Sequence, residues 1–170
     1  MILLSLGSNL KSTLGNRKEN LKIALSLLET YDFKITKKSS FYETESYPNK
    51  SDPKFINMLI SGQSNLSPDQ LMRILFDIEK RLERVRKNKN DPRTCDIDII
   101  DYKGLIVTTE LNNISLYIPH QEIHKRNFVL IPLKEICPNW KHPKNGKKIN
   151  QLIDELQISL NNTITKIPSN

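Results

Sequence analysis

The sequence predicts a single α+β or α/β sandwich. Short alternating strands and amphipathic helices are mixed irregularly along 170 residues. No repeat, heptad or linker divides them. At 37% hydrophobic and 26% charged residues, the chain fits one domain, residues 1–170, with a sizeable core.

The elements follow from pattern. "MILLSL" makes a strand over Met1 to Leu6 that breaks at Gly7, and Ser8 and Asn9 make a turn. From about Asn16 to Tyr31, Leu21, Ala24, Leu25 and Leu28 recur at helical spacing. Phe33 to Tyr42 alternates loosely, as an exposed strand does, and Glu43 to Pro53 is a polar, proline-containing loop. In "KFINMLISGQS", Phe55, Asn57 and Leu59 share one strand face and Ile56, Met58 and Ile60 the other. The clearest helix starts at Ser67 as N-cap, with Pro68 in the first turn and Gln70 closing a capping box. Leu71, Ile74, Leu75, Ile78 and Leu82 form its apolar stripe, and it fades near Arg86 into the loop Lys87 to Pro92. A strand over Cys95 to Tyr102 comes next, then short strands at "LIVTTE" and "ISLYIP". "RNFVLIPLKEICP" reads as a helix interrupted near Pro132, and a last amphipathic helix covers about 147–160.

Composition bounds function. No apolar run is long enough to span a bilayer, and Met1 leads straight into a strand with no basic prefix or cleavage site, so a cytoplasmic chain is expected. Cys95 and Cys137 lack metal-ligand spacing and suit small core residues in a reducing compartment. A formal net charge of +7 calls for an anionic partner or a strongly solvated surface. The charge is uneven: Glu79 to Arg93 holds seven Lys or Arg against three acids.

"TCDIDII" carries the chemistry. Asp96 and Asp98 alternate with Cys95, Ile97 and Ile99, so both carboxylates leave one strand face, with Cα atoms about 6.5–7 Å apart. Two acids that close repel unless a positive charge lies between them. Mg2+ takes oxygen ligands and commonly joins one or two carboxylates to substrate phosphates. An ordinary acidic sheet face neutralised by lysines has the same pattern. Arg84, Arg86 and Arg93 nearby point instead to phosphoryl transfer, where positioning and charge stabilisation do most of the work. No P-loop or dinucleotide fingerprint is present, so side chains and metal must hold any triphosphate. His120 and Arg126 can also reach phosphate oxygens, and Phe128 offers a flat face to an aromatic ring. His124 and His142 read as structural or surface residues, and no zinc site or nucleophile constellation appears.

Three segments together resemble the 6-hydroxymethyl-7,8-dihydropterin pyrophosphokinase family. They are "LGSNL", "RVRKNKNDPRTCDIDIIDY" and "IPHQEIHKRNFVLIPLKEICP", with "SSFYET" and "FINM" in order between the first two. The resemblance spans about residues 1–140. It implies an α/β/α, ferredoxin-like sandwich with a mostly antiparallel sheet. It also implies transfer of the terminal diphosphate of ATP to the pterin hydroxymethyl oxygen, giving AMP, in folate biosynthesis. Two Mg2+ ions at Asp96 and Asp98 are implied, with Arg84, Arg93 and both aspartates catalytic. On the ATP side it implies Glu79, Arg84, Arg86, Arg93, Ile99, His120 and Arg126. On the pterin side it implies stacking by Phe55 and Phe128, edge reading by Asn57, and backbone contact at Thr44. ATP and the pterin are the expected partners of a monomer, with no nucleic acid and no membrane. The chain departs from the family at Glu45, where proline is frequent, and at Glu83, where a glycine often precedes R-x-R and where glutamate suits a continuing helix. The loop "KNKND" also lacks an aromatic. The alternatives are a small basic nucleic-acid-binding module and a non-catalytic nucleotide- or pterin-binding relative.

Overall fold

The computed structural model describes residues 1–86, 88, 90–111, 114–157 and 163–168. Strands β1 (Ile2–Ser8), β2 (Lys34–Lys38), β3 (Tyr42–Thr44), β4 (Phe55–Gln63), β5 (Asp96–Tyr102) and β8 (Ile164–Lys166) form a six-stranded sheet. Its order is β5-β1-β4-β3-β8, with β2 also on β4, and every pairing is antiparallel. Strands β6 (Val107–Leu111) and β7 (Ile114–Ile118) form a separate hairpin. The helices are α1 (Arg17–Glu29), α2 (Pro68–Arg81), α3 (Asn127–Ile136) and α4 (Ile149–Gln157). With β2 and β3 taken as one interrupted strand, the succession β-α-β-β-α-β and its strand order make the fold ferredoxin-like α+β.

Strand alternation builds two cores. Ile2, Leu4 and Leu6, with Met58, Ile60, Ile97 and Ile99, pack against Leu21, Ala24, Leu25 and Leu28 of α1 and Leu71, Leu75 and Ile78 of α2. Leu3, Leu59 and Ile100 face the other way, against Val129, Leu130 and Leu133 of α3 and Leu152, Ile153 and Leu156 of α4. This is the expected α/β/α layering. Ile99 and Ile100 join opposite cores by ordinary alternation, and a register shift between Leu3 and Leu4 then brings Tyr102 into the first core.

Several expected boundaries move. β1 runs through Gly7 to Ser8, because Gly7 pairs with Asn57 on one side and Asp96 on the other. The strand expected over Phe33 to Tyr42 divides into β2 and β3, and Phe33 is buried against Gly62, where any Cβ would strike its ring at 2.3 Å. Thr44 therefore lies in β3, between Phe55 of β4 and Ile164 of β8, and not in an open loop. The capping box at Ser67 and Gln70 is present, and Asn16 makes a second one with Glu19 on α1. Helix α2 ends at Arg81 rather than near Arg86, since Glu83 turns left-handed with φ 63°. Pro132 lies within α3 and does not interrupt it. In the last helix, positions 158–160 lie outside the described residues. Cys95 and Cys137 are both free, Cys95 in the first core.

Candidate active site

Helices α3 and α4 cover only part of the second face. Along β1 that face runs Leu3, Ser5, Gly7; along β4 it runs Leu59, Asn57, Phe55; along β5 it runs Ile100, Asp98, Asp96. Each strand thus passes from a residue under the helices to polar or aromatic residues beyond them. The register aligns these as rows: Leu59, Ser5 and Asp98, then Asn57, Gly7 and Asp96. Two strand spacings separate Asn57 from Asp96, about 10 Å. A Cβ at Gly7 would lie 3.0 Å from Asn57 Oδ1 and 3.5 Å from Phe55, so glycine keeps this floor flat.

Arginines converge on the aspartates. Arg84 Nη1 donates to Glu79 Oε1 at 2.6 Å, to the Cys95 carbonyl at 3.1 Å, and to Asp96. Arg93 Nη2 pairs with Asp96 Oδ2 at 2.7 Å, and Arg126 Nη1 donates to Asp98 Oδ2 at 2.8 Å. Glu79 also pairs with Arg86 and accepts the Ile97 N–H of edge strand β5 at 2.9 Å. Burial pushes Glu79 up to about 7, and the neighbouring Asp96 charge adds to the shift. Burial would raise Asp96 as well, but Arg93 and Arg84 outweigh it and hold its carboxyl at about 2. His120 is pushed down, chiefly by burial. Its Nδ1 accepts the Glu122 N–H at 3.1 Å, which leaves the proton of the neutral ring on Nε2, 3.9 Å from Asp98.

Two adjoining cavities meet at this network. The first, about 360 Å³, is lined by Arg84, Arg86, Arg93, Asp96, Asp98 and Arg126 among others, and is strongly polar. The second, about 310 Å³, shares Arg86, Asp96, Asp98 and Arg126 and adds an apolar wall from Leu75, Phe76, Ile97, Ile99 and Leu116, with Glu79 and His120. Every residue expected on the ATP side lines one of the two.

The expected pterin residues line neither cavity. The Arg93 guanidinium lies over Phe55, 5.0 Å from the phenyl centroid, and the Arg126 guanidinium lies over Phe128, 5.6 Å from its centroid. The arginines that bind the aspartates therefore also stand over both rings. Asn57 Nδ2 donates to Thr44 Oγ1 at 2.9 Å. Thr44 sits at the end of both ladders, in register with Phe55 and Ile164.

The sequence reading missed the residues that tie the loops together. Asn9, 2% exposed, accepts the Arg93 N–H at 2.6 Å and donates to the Pro53 carbonyl at 3.1 Å and Ser46 Oγ at 3.3 Å. Fully buried Asn20 donates to the carbonyls of Leu10 and Thr94 at 3.0 and 3.1 Å. One signal was available: Asn20 sits in the apolar stripe of α1, where an amide needs partners.

Among the described residues, no group of three or more His, Cys, Asp or Glu side chains could hold a metal. The two aspartates nevertheless fit Mg2+, which completes its oxygen shell with phosphates when carboxylates are few.

A family model for 7,8-dihydro-6-hydroxymethylpterin-pyrophosphokinase matches residues 3–138. The chain belongs to this family. The 2-amino-4-hydroxy-6-hydroxymethyldihydropteridine pyrophosphokinase of Bacillus subtilis is 36% identical over 149 residues, which cover 87% of this chain and 84% of that one. Its Synechocystis counterpart is 34% identical over 148 residues, covering 86% and 73%. The folic acid synthesis protein fol1 of Pneumocystis carinii is 36% identical over 155 residues, 91% of this chain but only 20% of that longer protein. Among solved structures, wild-type HPPK-DHPS of Plasmodium falciparum with pteroate superposes with a TM-score of 0.72 at 15% identity, over 91% of this chain and 44% of that one. At that identity it supports the shared fold. Membership places the chain among the ATP-dependent pterin pyrophosphokinases of folate biosynthesis.

Proposed function

We propose that the chain transfers the terminal diphosphate of ATP to the hydroxymethyl oxygen of 6-hydroxymethyl-7,8-dihydropterin at the junction of the two cavities. The observation that carries this assignment is the arrangement of Asp96 and Asp98, on one strand face and shared by both cavities, with arginine on each carboxylate. The apolar wall of Leu75, Phe76, Ile99 and Leu116 takes the nucleobase, and the arginine-lined cavity takes the polyphosphate. Asp96 and Asp98 would hold two Mg2+ ions. When bound, Mg2+ screens phosphate charge and polarises the oxygens around the β-phosphorus.

Arg93 and Arg126 turn from the carboxylates to phosphate oxygens, which uncovers Phe55 and Phe128 for the pterin ring. Asn57 reads the pterin edge from about 10 Å away, a span suited to a bicyclic ring and its hydroxymethyl arm. Arg84, held by Glu79 and 10% exposed, keeps a fixed positive charge where the leaving AMP and the transferred diphosphate develop negative charge. Neutral His120 donates from Nε2 to a phosphate oxygen. The hydroxymethyl oxygen attacks the β-phosphorus in line, the bond from the β-phosphorus to the AMP oxygen breaks, the hydroxyl proton is released, and no covalent enzyme intermediate forms.

All these residues come from one chain, so a monomer suffices. We place it in the cytoplasm, where both free cysteines stay reduced, and take residues 1–170 as one pyrophosphokinase unit. No helix among the described residues is long and apolar enough to cross a membrane.

The test is AMP release from Mg-ATP with and without the hydroxymethyl pterin. Release should require the pterin, and Asp98→Ala should fold normally yet lose at least about 100-fold in turnover, the scale of losing charge stabilisation at the reacting centre. Near-normal turnover by that variant would refute the metal assignment.

A further inference from the structure

We propose that Glu83 and Thr13 form a latch that positions the arginines of the nucleotide site. This makes Glu83 a positioning residue for diphosphate transfer, and it rests on the functional reading above. Glu83 follows α2 in the left-handed region, at φ 63°, where side chains other than Asn and Asp are uncommon. The turn itself is a familiar helix stop. The Glu83 N–H donates to the Lys80 carbonyl and the Arg84 N–H to the Glu79 carbonyl, each at 3.0 Å, a pair of bonds whose left-handed position is usually glycine. Backbone bonding therefore accounts for the turn and leaves the glutamate unexplained.

The carboxylate supplies the reason. The Thr13 N–H donates to Glu83 Oε2 at 2.9 Å and the Thr13 hydroxyl donates to Oε1. These two bonds hold the Glu83 carboxyl below its ordinary range. Thr13 belongs to the loop between β1 and α1, and the same loop grips the far end of the arginine segment. There the Arg93 N–H donates to Asn9 Oδ1 at 2.6 Å, and the N–H groups of Asn9 and Leu10 donate to the Arg93 carbonyl at 3.0 and 3.1 Å. One loop thus fixes the segment at its start through Thr13 and at its end through Asn9. Arg84 and Arg86 emerge between these anchors. Arg84 follows the left-handed residue directly, and one guanidinium nitrogen has to meet Glu79, the Cys95 carbonyl and Asp96 together. Rotation about the Glu83 backbone would swing that nitrogen away. A free glycine there permits such rotation. The latched glutamate selects one orientation, at a solvent-exposed point that lines neither cavity.

Three variants separate positioning from folding. Glu83→Gly suits the left-handed backbone and removes the latch, Glu83→Gln keeps an acceptor for Thr13, and Thr13→Val removes the hydroxyl alone. Each is titrated with a non-hydrolysable ATP analogue in Mg2+, melted thermally and assayed for AMP release. Glu83→Gly should bind the analogue about 5–10-fold more weakly, the scale of one or two lost hydrogen bonds, with an unlowered melting temperature and a smaller change in kcat. Glu83→Gln should recover most of that affinity and Thr13→Val should fall between. Wild-type affinity in Glu83→Gly overturns the latch, and so do losses that track melting temperature across all three variants. Should Glu83→Gly fail to fold, the order of the other two variants decides. Analogue binding by a wild type that cannot use the pterin removes the functional reading and leaves the latch measurable. A wild type that binds no analogue ends both.

Discussion

Glu79 and Asp96 share one arginine yet sit in opposite protonation regimes. Asp96, at about 2, stays charged because Arg93 and Arg84 outweigh its burial; Glu79, at about 7, is pushed up by its own burial and by Asp96. The sign of the pH effect differs between them. The folded state binds a proton at Glu79 more tightly than the unfolded chain, so stability falls as pH rises from about 4.5 towards 7. Asp96 acts at the acid end: its contribution is present above 3.8 and is lost as pH falls through about 2. In the ligand-free protein, Glu79→Gln should flatten the decline between pH 5 and 7, worth up to about 3 kcal/mol at 1.36 kcal/mol per pKa unit. Chemical denaturation across that window checks it, and parallel profiles for wild type and variant would contradict it. At this scale the acids and arginines were legible because strand alternation alone puts Asp96 and Asp98 on one face. Asn9 and Asn20 were not, because their work lies in contacts with loops remote in sequence, such as the bond from Asn20 to the Thr94 carbonyl.

Among the elements, local signals were most faithful where they were self-contained. Ser67, Pro68 and Gln70 fix the start of α2 from four consecutive residues, and the helix begins there. Its end was misjudged because the stop is a left-handed turn on a glutamate instead of a glycine, and the side chain of that glutamate is held by Thr13, 70 residues away. The strand at Phe33 to Tyr42 split for a similar reason: the Ser39 N–H and hydroxyl both bond Leu59, breaking the run between β2 and β3. Pro132 does not stop α3, because burial of Val129, Leu130, Leu133 and Ile136 outweighs the missing backbone donor. Strand β8 was not anticipated, being three residues long and formed only by pairing with β3. The loops on either side of the site share Asn9 as a tie, through Arg93 on one side and Ser46 and Pro53 on the other. Closure of these loops over both substrates would exclude water that competes as nucleophile. Hydrogen exchange in peptides covering 45–54 and 84–93 should slow with saturating Mg2+, ATP analogue and pterin together. Unchanged exchange in both would count against closure.

Over the whole molecule, the layered fold decides where chemistry can occur. Helices α1 and α2 cover the first face of the sheet except along edge strand β5, where Leu75, Ile97 and Ile99 line the second cavity, whereas α3 and α4 stop short and leave one end of the second face to Asp96, Asp98, Asn57 and Phe55. The net charge of +7 acquires a purpose there, since Arg84, Arg86, Arg93 and Arg126 converge on one cleft that suits a polyphosphate. The two faces of β4 and β5 were legible from alternation, whereas the α/β/α layering came with the family resemblance. The cover provided by guanidinium groups over Phe55 and Phe128 was not, because it depends on side-chain packing across the sheet. The most direct test of this account is a crystal structure of the protein with Mg2+, a non-hydrolysable ATP analogue and the hydroxymethyl pterin. It should show cations against Asp96 and Asp98, the triphosphate in the arginine-lined cavity, and the pterin between Phe55 and Phe128. Aspartates still paired with Arg93 and Arg126, with the triphosphate lying elsewhere, would contradict it.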